Sequence, residues 1–408
     1  MKNINKIAII IAWPRELDMY GQIISALENE IVLIVDDQKY SQKQRAGSSR
    51  NIIKILNEKK LKFELLSEVY KYKKYKVLLS TGASYKEIVS FKNIMQLTYS
   101  RTLGVFLQKT KISLLLKKIF GRGYSAGGMN YHYYTNCNIE RELGVVNVCL
   151  PMGMDLSLKS YPVERWRKVF DIYFCHGIYD EKIIKAKFKN KEFLNIGYPR
   201  YNRLQSHHSS KKLINKEFNI SDNKDKLIFW IPTDIKLKEE SLSNILLWAP
   251  IVSKFNNNYN IIVRPHPKTI VTHPEIVDAL LKFGFHVDLQ EDRKLGLLYQ
   301  AADLVLADYG GSVLSAIYLQ RPLLLLDLPV ENSYRVGQIR GQSLDQIARE
   351  DLISINYEEK EKISDFKEQA LSDNNMKSIK EKKYEYFGNE KDSKNIKQVV
   401  VFLKNKLD

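Results

Sequence analysis

The sequence predicts an α/β protein built on doubly wound parallel sheets, and three observations predict it. Short apolar runs recur through the 408 residues without alternating with polar ones. Many of these runs stop at Asp, Gly or Pro, and helix-length stretches separate them. Strands buried on both faces of a parallel sheet look like this, because helices cover each face and leave no polar side.

Taken in order, the first run is Ile7–Ala12, followed by Trp13-Pro14-Arg15-Glu16. That tetrapeptide stands where a signal peptide needs small residues, so the run is expected to be a first buried strand. Glu16–Leu27 then carries apolar residues at helical spacing. Further runs fall at Ile31–Val35, Val77–Leu79, Val145–Leu150 and Ile172–Cys175. In the polar stretch Ser206–Asn223, Ser, Asn, Lys and Asp replace the apolar pattern. Runs resume at Leu227–Ile231, Ile261–Val263, Leu304–Leu306 and Leu323–Leu326. The length favours two domains, and the polar stretch marks their boundary. The expected organisation is a first domain at 1–205, a second at 225–385, and a terminal segment 386–408 whose helix crosses back to the first domain.

Composition narrows the partners. The chain is 44% hydrophobic and 27% charged, as soluble globular proteins are. Its 64 Lys and Arg against 47 Asp and Glu leave a formal charge of +17. An anionic partner is favoured, although a lysine-rich segment such as Lys71–Lys76 fits a solvated surface equally well. No RNP, helix-turn-helix or zinc pattern accompanies the charge, so no nucleic acid is expected. Cys137, Cys149 and Cys175 form no CxxC pair, which argues against a disulfide scaffold or a zinc site. No apolar run reaches the roughly 18 residues of a membrane-spanning helix. A cytoplasmic protein is expected, and residues 105–122 bear on whether it sits at the inner face of the cell membrane. Leu107, Leu114, Leu115 and Ile119 alternate there with Lys109, Lys111, Lys117 and Lys118. Such a basic amphipathic helix suits an anionic membrane surface, and it equally suits packing on its own sheet.

Three successive strand ends carry polar, rigid or glycine-rich segments: Pro232-Thr233-Asp234, Arg264-Pro265-His266-Pro267-Lys268, and Ala307-Asp308-Tyr309-Gly310-Gly311-Ser312. Each has a bland explanation, since proline ends strands and Gly-Gly makes turns. Their recurrence at one rim favours a ligand site. Gly310-Gly311-Ser312 opens an apolar segment with helical spacing, so its amides and helix dipole suit a phosphate. Asp308 is placed to accept from a ribose or sugar hydroxyl. Arg264 and Lys268 suit diphosphate charge, and His266, held between prolines, suits a hydrogen bond to phosphate or proton donation to a leaving group.

In order along the chain, these segments resemble the CDP-glycerol glycerophosphotransferases of teichoic-acid synthesis, which have the GT-B fold. Gly197-Tyr198-Pro199-Arg200-Tyr201-Asn202-Arg203-Leu204 is similar to that family's GYPR segment, and Ile228–Asp234 to its strand-Pro-Thr segment. Arg264–Pro267 matches its RPHP motif, and Ala302–Ser312 is similar to its segment ending in DYSS. Phe387-Gly388-Asn389 with Ser393-Lys394-Asn395-Ile396 is similar to its final glycine and serine cluster.

The resemblance implies two Rossmann-like doubly wound domains facing across a cleft. It implies a transferase that takes a nucleotide-diphosphate donor, CDP- or UDP-linked with CMP-linked as a variant, and a glycan or lipid-linked acceptor. No cofactor and no metal are implied. His266 and Ser312 would serve the donor diphosphate, with Arg200, Thr233 and Ser393 in the donor set. The family's WHGTPLK histidine, thought to be the base for the acceptor hydroxyl, aligns best with Met152 in Cys149–Asp155. Methionine takes no proton, so the base would be Asp155 or His176, or the acceptor chemistry differs. Gly310-Gly311 also resembles the nucleotide loop of sugar-nucleotide epimerases, and a catalytically silent assembly protein fits the missing histidine.

Overall fold

The structure is a computed structural model that describes residues 1–37, 48–81, 139–151, 169–201, 206–220, 226–233, 244–290, 292–327, 344–389 and 394–408. Among them, parallel strands form two sheets. The first has seven strands in the order β3-β2-β1-β4-β5-β6-β7. These are β1 Lys2–Ile11, β2 Ile31–Val35, β3 Phe63–Leu65, β4 Lys73–Ser80, β5 Gly144–Cys149, β6 Ile172–Cys175 and β7 Glu192–Asn195. The second has six in the order β10-β9-β8-β11-β12-β13. These are β8 Lys226–Ile231, β9 Tyr259–Val263, β10 His286–Val287, β11 Leu304–Ala307, β12 Leu323–Leu326 and β13 Ser354–Ile355.

Both faces of each sheet are covered, which is why the central strands read as unbroken apolar runs. In β1, Ile7, Ile9 and Ile11 pack with Met19, Tyr20 and Ile23 of the helix Pro14–Ala26. Ala8 and Ile10 pack on the opposite face with Leu66, Ile139 and Leu143. In β8, Leu227 and Phe229 face one core while Ile228 and Trp230 face another. Each fully buried aliphatic side chain contributes roughly 1.5–3 kcal/mol, so these four layers are the main store of stability.

The strands the apolar pattern does not reveal are β3, β7, β10 and β13, all at or next to sheet edges. Phe63–Leu65 is half-buried throughout, and β10 and β13 are two residues each. An edge strand has one neighbour and a wet flank, so it needs no continuous apolar run.

The polar stretch Ser206–Asn223 is not simply a linker. It contains the helix His207–Glu217, whose cap Ser206 accepts from the amide of Ser209 at 3.3 Å. Ile214 of that helix is buried in the core of the second sheet, and Lys211 pairs with Asp303 at 3.0 Å. One buried aliphatic position among exposed Lys, Ser and His leaves little periodicity to read.

The chain visits the second core once more through Tyr386 and Phe387, at the end of the helix Asp373–Phe387. Gly388 turns it at φ 76°, and Lys394 N–H donates to Asn195 O at 2.7 Å. The final helix, Ile396–Lys404, then buries Ile396, Val399 and Leu403 in the core of the first sheet. Among the described residues no helix is long and apolar enough to cross a membrane. The segment 105–122, Asp155, Met152, Cys137, Asp234 and Ser393 lie outside the described residues, as does the side chain of Lys268.

Candidate active site

Each sheet has a point where its strand order reverses. In the first it lies between β1 and β4, in the second between β8 and β11. Ligands of open α/β sheets bind beyond the strand ends at such points. At each one a buried carboxylate ties the two strand ends together. Glu16 accepts from Ala12 N–H at 2.6 Å, Trp13 N–H at 3.1 Å and Thr81 Oγ1 at 3.0 Å. Asp308 accepts from Thr233 N–H at 2.8 and 3.1 Å, Thr233 Oγ1 at 3.2 Å and Tyr309 N–H at 2.7 Å.

Asp308 is expected to accept from a ribose or sugar hydroxyl, and in the structure it accepts from protein donors. Its carboxylate is fully buried and both oxygens are committed to those donors, so it positions the loops. Arg349, which nothing in the sequence pattern singles out, completes the support. Its guanidinium donates to Asp327 Oδ1 at 2.8 Å, to Asp345 O at 2.9 Å and to the backbone oxygen of Asp308. It also lies over the Tyr309 ring at 4.4 Å.

The loop Tyr309–Ser312 follows from this support. Gly310 adopts φ 83°, ψ −152°, a region essentially closed to other residues, and its N–H donates to Asp345 Oδ2 at 2.7 Å. The Gly310 amide is therefore already spent. The helix Gly311–Tyr318 begins next, and helix geometry leaves the amides of Gly311 and Ser312 without intrahelical acceptors. A Cβ on Gly311 would meet nothing within 4 Å. Open space, two amides and the positive end of a helix dipole suit a phosphate group. Ser312 Oγ turns back to Tyr309 O at 3.3 Å.

On the other side of β8, His266 is half-buried, and its backbone oxygen caps the helix Pro267–Thr272 by accepting from Thr269 N–H at 2.8 Å. Arg264 departs from expectation. It pairs with the buried Asp288 and donates to Gln290 O at 2.9 Å. Asp288 also receives Arg293 at 2.9 Å, and Arg293 reaches Glu217 at 2.6 Å. Two arginines and two carboxylates neutralise each other here, so Arg264 first of all builds the loop after β10.

Arg200 and His176 are likewise placed away from an open rim. Arg200 Nε lies 3.4 Å from Asp18 Oδ2, both side chains nearly buried. His176 is 1% exposed, donates from Nδ1 to Gly197 O at 2.8 Å, and stacks on Tyr198 with ring centroids 3.9 Å apart. Burial lowers its pKa to about 4, with Arg200 adding to that effect against the hydrogen bond to Gly197. The ring is thus held inside the junction of β6 with residues 386–387. Of the expected residues, Thr233, Gly310, Gly311 and Ser312 follow the two strands of the switch point, β8 and β11, and His266 follows the neighbouring strand β9. Asp18, Asp288, Asp345 and Arg349 escaped notice because isolated charged residues carry no periodic signal.

A search of curated proteins found no match. The fold is similar to that of the wall teichoic acid polymerase TagF, at a TM-score of 0.55 and 11% identity over 99% of this chain and 88% of that one. A second structure of that polymerase, a variant soaked with CDPG, gives a TM-score of 0.53 and 12% identity over the same shares. The likeness supports a GT-B arrangement of the two sheets. A sequence model described as CDP-Glycerol:Poly(glycerophosphate) glycerophosphotransferase matches residues 152–404, more than half of the chain and all three rim loops. The chain therefore belongs to the CDP-glycerol:poly(glycerophosphate) glycerophosphotransferase family, and it is a transferase of that class.

Proposed function

We propose that the enzyme moves a polyol phosphate or glycosyl group from a nucleotide-diphosphate donor, CDP-glycerol foremost, to a cell-surface glycan or lipid-linked acceptor. One observation carries the reading: the RPHP loop after β9 and the DYGGS loop after β11 flank β8 at the switch point of the second sheet. The donor diphosphate would lie at the amides of Gly311 and Ser312, with His266 opposite as hydrogen-bond donor or acid to the departing nucleotide. Positioning and charge stabilisation of that leaving group would supply most of the rate. A helix end and a hydrogen-bond donor can hold a diphosphate, so the reading invokes no cofactor or metal. The acceptor would be received at the rim of the first sheet, and Asp155, outside the described residues, is a candidate base. Residues 105–122 would bring the enzyme to an anionic membrane surface.

A thermal-shift screen of CDP-glycerol, CDP, UDP and UDP-linked sugars identifies the nucleotide, because a ligand of the folded state raises the melting temperature. Transfer by wild type and His266→Ala then tests the chemistry. Loss of transfer with nucleotide binding retained supports the reading, and unchanged transfer removes His266 from the mechanism. Met152, at the place of the family's acceptor-side histidine, motivates one alternative, a silent assembly protein. Nucleotide binding without turnover of any donor would favour it.

A further inference from the structure

The pair Asp18–Arg200 is absent from the proposed chemistry, yet it sits between the two sheets. Asp18 belongs to the helix Pro14–Ala26 that follows β1, in the half that would take the acceptor. Arg200 belongs to the turn Pro199–Tyr201, and Tyr201 beside it is buried in the core of the second sheet. The turn packs against Pro14–Ala26 on one side and the helix Leu295–Ala301 on the other. The backbone of Leu295 at the start of that helix, with Arg264 and Lys294, lies near enough to favour the Asp18 carboxylate. Its Oδ2 is buried and has no hydrogen-bond partner among the described residues, with Arg200 Nε 3.4 Å away. Burial pushes its carboxyl above the usual range against the pull of Arg200. A second ion pair crosses the same seam, Lys59 to Asp292 at 2.9 Å, so the loop after β10 faces the first half at two places. The seam reaches the donor loop too, because Tyr299 of the helix Leu295–Ala301 donates to Ser312 O at 3.0 Å.

We propose that Asp18 is a positioning residue for transfer, docking the acceptor-side helix onto a socket made by Arg200 and the Leu295 backbone so that the acceptor half meets the donor loop in register. Arg200 then serves as the socket rather than as a donor ligand. Removing the carboxylate leaves a buried guanidinium without its partner and frees the helix to shift. A misplacement of about 1 Å at a reacting centre costs up to about 100-fold in rate.

The test uses the full chain as wild type, Asp18→Asn, Arg200→Lys and the double variant. The kinetic readings rest on the transferase proposal, but the scattering reading does not. Asp18→Asn is expected to keep the CDP-induced rise in melting temperature and to lose roughly 10- to 100-fold in transfer. It is also expected to show a larger radius of gyration by small-angle X-ray scattering. The double variant is expected to be no worse than the poorer single one. Wild-type transfer and scattering in Asp18→Asn would overturn the proposal, as would loss of CDP binding along with transfer, which would mark a donor-site or folding role. If wild type turns over no donor, the transferase proposal falls, and the scattering comparison still decides whether Asp18 holds the two halves together.

Discussion

Thr233 N–H donates to Asp308 Oδ2 at 2.8 Å, and this bond fastens the end of β8 to the end of β11 where the strand order reverses. The carboxylate also takes Thr233 Oγ1 and the Tyr309 amide, so three donors converge on one buried group. Asp308→Asn puts an NH2 against at least one of them. The expected loss of stability is about 1–3 kcal/mol, read by denaturant unfolding. Nucleotide-induced stabilisation should fall with it, since the loop carrying Gly311 hangs from the same carboxylate. A variant with wild-type stability would show that the latch is unimportant.

Gly310 and Gly311 are adjacent, and their alanine variants should behave differently. Gly310 needs φ 83°, so Gly310→Ala is expected to cost roughly 1–3 kcal/mol through backbone strain. Gly311 lies at the first helical position with open space where a Cβ would go. Gly311→Ala should therefore leave the fold as stable as wild type or more so, by up to about 1 kcal/mol. If the space holds a donor phosphate, the same methyl group weakens CDP binding by about tenfold or more, measured by calorimetry. Unchanged CDP affinity in Gly311→Ala would move the phosphate site elsewhere.

The centre of the fold was legible because its strands are buried on both faces. Leu323–Leu326 reads as a strand from four leucines alone, and all four are fully buried. The rim loops were legible as well, since Pro, Gly and His after such runs have few other uses. What stayed hidden depends on pairing across sequence distance. Arg264 looks like a phosphate ligand until Asp288 is seen beside it. Arg200 looks like a donor contact until Asp18 closes on it. His176 follows an apolar run as a catalytic residue would, but its neighbours Gly197 and Tyr198 hold it inside the junction.

That junction is tight enough to test through one methyl group. A Cβ on Gly177 would lie 2.4 Å from Tyr386 O and 2.5 Å from Phe387 Cα, both backbone atoms that cannot swing aside. Its own backbone is extended, so conformation is no obstacle to a side chain. Gly177→Ala must instead push the end of β6 away from the helix Asp373–Phe387. The expected cost is about 1–3 kcal/mol, as for overpacking in a core. A thermal melt matching wild type would mean that the contact yields freely.

His176 should give the stability of the protein a particular pH dependence. Its folded pKa is lowered to about 4 from an ordinary 6.5, first because burial penalises the charged ring. The unfolded chain therefore binds a proton that the folded chain refuses throughout the interval between those values. Stability from this source is complete above about pH 6.5 and drains away as pH falls toward 4, by about 3 kcal/mol at most. Below pH 4 both states carry the proton and the loss levels off. His176→Gln removes the titrating group while leaving an amide able to donate to Gly197 O. Its unfolding free energy should fall less steeply than that of wild type between pH 6.5 and 4. Equal slopes in urea titrations across that range would mean that the ring is solvated or finds a partner for its proton.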